Sequence, residues 1–150
     1  MNSKASVENF IGKRKIALVG LSRKGNQFSN SVFKELTGKG YTVIPVNPNA
    51  EEIGGVKCYP DLQSVKDLVE SALVMTPAAQ TQAVVESAAE NGIKNVWLQQ
   101  GAESEEAVKA GSEKGLDLVS GECIMMFAEP VESIHKFHRF LAKIFGRLPK

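Results

Sequence analysis

The sequence predicts a doubly wound α/β domain: a parallel five-stranded sheet with helices on both faces, plus a C-terminal amphipathic helix. Three observations predict it. Short apolar runs alternate with helix-length segments along the whole of a 150-residue chain. The runs are apolar throughout rather than at every second position, as strands buried on both faces are. The 43% apolar content is enough for one core at this length and crowds two. A single domain over 1–150 follows, with its core at about 12–125 and the last helix at about 131–146.

A short N-terminal helix comes first, then IALVG (16–20) as the first strand. SNSVFKELTGKG (29–40) reads as a helix with Ser29 or Asn30 as N-cap and glycines behind it. YTVIPV (41–46) is the second strand, followed by turns and a weak helix near 61–67. SALVMT (71–76) is the third strand, and AAQTQAVVESAAENG (78–92) is its covering helix, closed by Asn91-Gly92. NVWLQQ (95–100), with Trp97 as a core residue, is the fourth strand. SEEAVKAGSEKG (104–115) is a helix and LDLVSG (116–121) the fifth strand. Right-handed crossovers around a central first strand predict the order 3-2-1-4-5.

Composition excludes several classes. No apolar run approaches the roughly 20 residues of a membrane-spanning helix, and MNSKASVENF lacks the apolar core of a signal peptide, which predicts a cytoplasmic protein. Cys58 and Cys123 are then free thiols, too far apart in sequence for a disulfide framework or a zinc set. The net charge of +1 hides a partition: residues 1–50 carry eight Lys/Arg and two acids, 51–132 five and fifteen, and 133–150 five and none. Basic ends around an acidic middle give no signature of nucleic-acid binding.

Ligands of such sheets bind beyond the carboxyl ends of the strands, at the switch in strand order. That selects Gly20 to Gly25, Asn47-Pro48-Asn49, Thr76-Pro77, Gln99 to Gly101 and Gly121-Glu122-Cys123. Gly20 permits a tight turn and a close approach, and the amides opening the helix near Ser29 carry partial positive charge. Ser22 offers a hydroxyl donor; Arg23 and Lys24 offer fixed charges suited to a phosphate. Two nucleotide fingerprints fail. Gly25 is followed by Asn26-Gln27, not the Lys-Ser/Thr of a P-loop, and the second strand ends in Val46-Asn47 without the acid that holds an NAD ribose.

The segments GLSRKGNQFSNSV, GYTVIPVNPNAEEIGGVKCYPDL and NGIKNVWLQQGAESEEAVKAGSEKGLDLVSGEC resemble the small stand-alone CoA-binding proteins and the CoA-binding N-terminal domain of the succinyl-CoA synthetase α subunit. The resemblance covers roughly residues 12–125, and PVNP and VWLQ-x-G are its most specific parts. It implies a Rossmann-like fold with coenzyme A or an acyl-CoA as ligand. It assigns Gly20, Ser22, Arg23 and Lys24, with Leu21 and Ser29 beside them, to the diphosphate, and Val46, Asn47 and Pro48 to the nucleotide wall. Thr76 and Pro77 border the adenine or pantetheine arm, and Gln99 and Gly101 line the cleft. Two positions depart from the usual pattern. Leu21 replaces a smaller residue, which predicts a narrower approach to the diphosphate, and Glu122 stands where many members carry arginine.

The resemblance also implies that the synthetase's phosphorylated histidine and ATP-binding subunit lie outside this domain. No catalytic constellation is found. His135 and His138, three apart in the tail, have no third metal ligand. Cys123, at the carboxyl edge of the sheet, suits either a structural thiol or a place near the pantetheine thiol; Cys58 reads as packing. In the tail, Ile134, Phe137, Phe140, Leu141, Ile144 and Phe145 recur at helical spacing between basic residues, a stripe suited to covering the domain, to a homodimer, or to an acidic membrane surface or partner. Three function classes stay open: non-catalytic binding of CoA or acyl-CoA as sensor or carrier; an NADP-binding oxidoreductase module, with Arg23 and Lys24 on the 2′-phosphate; and an accessory subunit of a larger acyl-CoA synthetase or acyltransferase.

Overall fold

The computed structural model describes residues 2–25 and 27–128. The expected C-terminal helix, His135 and His138 lie outside them. The chain runs α1 (Lys4–Gly12), β1 (Lys15–Val19), α2 (Phe28–Gly38), β2 (Thr42–Val46), a two-residue hairpin of β3 (Glu52–Ile53) and β4 (Val56–Lys57), and a 3₁₀ turn at Gln63–Val65. It continues through β5 (Ser71–Val74), α3 (Ala78–Glu90), β6 (Asn95–Gln99), α4 (Glu105–Glu113), β7 (Asp117–Glu122) and a second 3₁₀ turn at Ile124–Met126. The five main strands are all parallel, in the order β2-β1-β5-β6-β7.

Each expected strand is present, but the expected order is corrected. Counting main strands alone, it is 2-1-3-4-5, with β2 at the edge. Pro45 explains this. Its carbonyl faces outward, accepting from the Tyr59 amide at 3.0 Å, so the amide proton it lacks would have faced the same way. A central strand needs that donor; an edge strand does not. The crossover after β2 therefore returns over β1 to place β5 on its other side.

Successive strand residues face opposite layers, which gives two cores. Ile16 and Leu18 of β1, Leu73 of β5 and Trp97 of β6 pack with Val7, Phe10 and Ile11 of α1 and Val32 and Leu36 of α2. Ala17, Val19, Ala72, Val74, Val96 and Leu98 pack on the other face with Val85 and Ala88 of α3 and Ala107 and Ala110 of α4. Trp97 is fully buried between the rings of Phe10 and Phe127, at centroid distances of 5.3 and 5.6 Å. Its Nε1 donates to the Glu122 carbonyl (2.9 Å), satisfying the one polar atom it buries.

The start of α2 is also corrected. The helix begins at Phe28 with Gln27 as N-cap, not at Ser29 or Asn30. Asn30 is the third residue of the helix: its Oδ1 accepts from the Gln27 amide (3.1 Å) and its Nδ2 donates to the Ser22 carbonyl (2.9 Å). Ser29 Oγ accepts from the Ser22 amide (3.0 Å). Both side chains hold the preceding loop, and Asn30 also closes a capping box with Gln27 at the helix start.

Candidate functional site

The switch in strand order falls between β1 and β5, where the connections leave to opposite sides of the sheet. The chain leaving β1 at Gly20 runs against the chain leaving β5 at Met75. Gly20 has φ +104°, and a Cβ there would lie 2.8 Å from the carbonyl carbon and oxygen of Met75. Only glycine fits both the dihedral and the space. Beyond this contact opens a cleft of about 500 Å³, lined by Gly20, Ser22, Lys24, Gln27, Phe28, Ser29, Met75, Thr76, Pro77 and the turn at 99–102. The volume is in the usual range for small-molecule sites.

The first loop is built by its own polar groups. Ser22 Oγ accepts from the Lys24 amide (3.1 Å), and the Ser22 amide and carbonyl are held by Ser29 and Asn30. These bonds present the loop to the cleft with Lys24 on its lining, while Arg23 reaches the other way and donates to the Asn49 carbonyl at 3.3 Å. Two helices open here. α2 starts at Phe28, and α3 starts at Ala78 behind Pro77 with no side-chain cap, so the positive ends of both dipoles meet the cleft. At the turn after β6 the Glu103 carboxylate, itself off the lining, accepts from the Gly101 amide at 2.7 Å. An anion is favoured at the β1 end.

Of the residues singled out in the sequence, Gly20, Ser22, Lys24, Ser29, Thr76, Pro77, Gln99 and Gly101 come together on this lining. Leu21 turns away from it. Its side chain is 1% exposed within the core, so the expected narrowing of the approach is corrected. Val46, Asn47 and Pro48 lie beside β1 on its other flank, outside the lining. Asn47 is a strut: its Nδ2 donates to the Leu21 carbonyl (3.0 Å) and its Oδ1 accepts from the Asn49 amide (2.8 Å). Gln99 is another, donating to Cys123 Sγ (3.0 Å) and accepting from the Ile124 amide (3.0 Å). Cys123 is half-buried behind Gln99, off the lining. Cys58 is buried, and burial pushes its thiol pKa up.

Sequence reasoning missed Gln27, Phe28, Met75 and Ala102 on the lining. An available signal was Phe28, a large apolar side chain beside the loop and ahead of the helix's apolar period. A second depression, of about 670 Å³, lies along α4 and the turn before it, lined among others by Glu103, Glu105, Lys109 and Glu113. Its walls come from that one stretch of chain, with no convergence of strand ends, so it lacks the character of a site. Among the described residues no group of three His, Cys, Asp or Glu could hold a metal ion, and no helix is long and apolar enough to cross a membrane.

The family model described as a CoA binding domain matches residues 14–129. The chain belongs to the CoA-binding domain family. Within this family it is 34% identical over 123 residues to the uncharacterized protein YneT of Bacillus subtilis, a match covering 81% of this chain and 91% of that one. A conserved hypothetical protein from Pyrococcus furiosus has a solved structure that superposes with a TM-score of 0.71 at 40% identity, covering 75% of this chain and 97% of that one. The chain is also 32% identical over 98 residues to the ADP-forming acetate–CoA ligase II of Archaeoglobus fulgidus, across 64% of this chain but only 15% of the ligase. It is thus related to one domain of a much longer enzyme. The Rossmann-like fold and the synthetase kinship that the motifs implied both hold.

Proposed function

We propose that the protein binds coenzyme A or an acyl-CoA, without catalysing a reaction on it, in the cleft at the carboxyl ends of β1, β5 and β6. The observation that carries this is the first loop of the cleft in a chain of this family. Lys24, the Ser22 loop and the N-terminus of α2 gather at its β1 end, and the Thr76-Pro77 and 99–102 turns continue the lining across the sheet. A ligand with a diphosphate at one end and a long neutral arm at the other matches that arrangement. The diphosphate would lie on the loop at 22–24. The adenosine would lie toward β2, the side on which doubly wound folds receive the ribose, against Asn47 and Pro48. The pantetheine arm would cross the Thr76-Pro77 turn and the turn at 99–101.

Calorimetric titration with CoA, against NAD, NADP and ATP, tests this. Micromolar binding of CoA is expected, with NAD, NADP and ATP weaker by at least about tenfold. Lys24→Ala should weaken CoA binding by about five- to tenfold, the usual worth of one partly exposed cation facing a phosphate. Arg23→Ala should cost less, because the Arg23 guanidinium is engaged at Asn49. Silence for CoA with binding of NADP would overturn the proposal in favour of an oxidoreductase module. A sensor, a carrier and an accessory subunit of an acyl-CoA synthetase all fit binding alone; co-purification of an ATP-binding partner would favour the last.

A further inference from the structure

Arg23 and Lys24 are neighbours in sequence, yet the first loop sends them to different flanks. Lys24 lines the cleft, whereas Arg23 turns toward the end of β2 and donates to the Asn49 carbonyl at 3.3 Å. That bond is long and exposed, and it engages one nitrogen of a group that carries five N–H donors. The guanidinium is thus held in place with donors to spare. Under the CoA reading Lys24 faces the diphosphate, and Arg23 lies on the side where the adenosine would sit.

Doubly wound folds read the ribose at the end of the second strand. A carboxylate there binds a free diol, and an arginine accommodates a ribose that carries a phosphate. The turn after β2, Asn47-Pro48-Asn49, holds no carboxylate. Asn47 already donates to the Leu21 carbonyl and accepts from the Asn49 amide, so its side chain is committed to the loops. Just beyond the turn stand Glu51, Glu52 and Lys57, with Lys57 opposite Glu52 in the β3–β4 hairpin and its Nζ 4.8 Å from the centroid of the Tyr59 ring. Two acids and one cation add no attraction for an anion, so a phosphate on this flank depends on Arg23. CoA carries phosphate at both positions, a diphosphate and a 3′-phosphate on the ribose; dephospho-CoA lacks only the second. We infer that Arg23 receives the ribose 3′-phosphate, so that the protein distinguishes CoA from dephospho-CoA. This rests on the CoA reading of the cleft and adds a selectivity to it.

The test is calorimetric titration of CoA, dephospho-CoA, NAD and NADP into the full chain and into Arg23→Ala, Arg23→Lys and Lys109→Ala. The wild type should bind CoA about threefold tighter than dephospho-CoA, the usual worth of one exposed ion pair, and the ratio should shrink as salt is raised. In Arg23→Ala the ratio should fall to one or below, with dephospho-CoA bound as before. Arg23→Lys keeps the charge without the planar fork and should retain part of the preference. Lys109 is an exposed cation on α4, off the lining, so Lys109→Ala should leave the ratio unchanged. A merely structural role for the Arg23 bond to Asn49 would weaken both ligands alike and leave the ratio standing. Equal affinity for the two in the wild type, or a full preference retained in Arg23→Ala, overturns the inference while the CoA site stands. Failure of both CoA and dephospho-CoA to bind overturns the CoA reading and this inference with it, as does binding of NADP alone, which also carries a ribose phosphate.

Discussion

Gly20 and Gly101 both adopt positive φ, at +104° and +96°, yet the fold asks different things of them. A Cβ at Gly101 would meet nothing within 4 Å, whereas a Cβ at Gly20 would lie 2.8 Å from the Met75 backbone. Alanine at Gly101 should therefore cost only the strained dihedral, about 1–2 kcal/mol. Alanine at Gly20 carries the same strain and must also push two strand ends apart, so a loss of at least about 3 kcal/mol is expected. Urea unfolding of the two variants measures the difference. Equal losses would mean that the close approach of the two strand ends is not what requires glycine at position 20. The sequence singled out Gly20 as a residue that lets a phosphate come near. Its first duty is to let the chain after β5 come near, and nothing local in the sequence names that partner.

At the scale of elements, the loops of the cleft are held by side chains that sequence reasoning cast as ligand contacts. Asn47 ties the end of β2 to the loop after β1, and Gln99 ties β6 to the turn after β7. Asn47→Ala removes both of its side-chain bonds, and a loss of about 1–2 kcal/mol is expected, with faster amide exchange at Asn49. Unchanged exchange at Asn49 would show that the turn holds itself. Polar residues at the ends of strands read alike whether they grip a ligand or a neighbouring loop, which is why the sequence could not separate the two. Strand order, by contrast, was legible in a single residue. Pro45 lacks the donor that a central strand needs, and that excludes 3-2-1-4-5. The strands themselves were plain, because residues 71–74 and 96–99 are buried without alternation, as only a sheet covered on both faces requires.

For the whole molecule, the sequence made the fold class legible through the repetition of strand and helix, and made the location of the cleft legible through the rule that ligands gather at strand carboxyl ends. What stayed hidden was the make-up of the lining. It depends on which strand ends become neighbours: Lys24 and Gly101 are 77 positions apart in the chain and line one volume. The central claim is that this volume and the first loop together hold CoA. It is tested most directly by following backbone amide NMR signals during titration with CoA. The largest shifts are expected at Gly20, Ser22, Lys24, Ser29, Thr76 and Gly101, with little change along α4 near Lys109 and Glu113. Saturable shifts confined to α4, or no shifts at the first loop at CoA concentrations that saturate calorimetric binding, would contradict it.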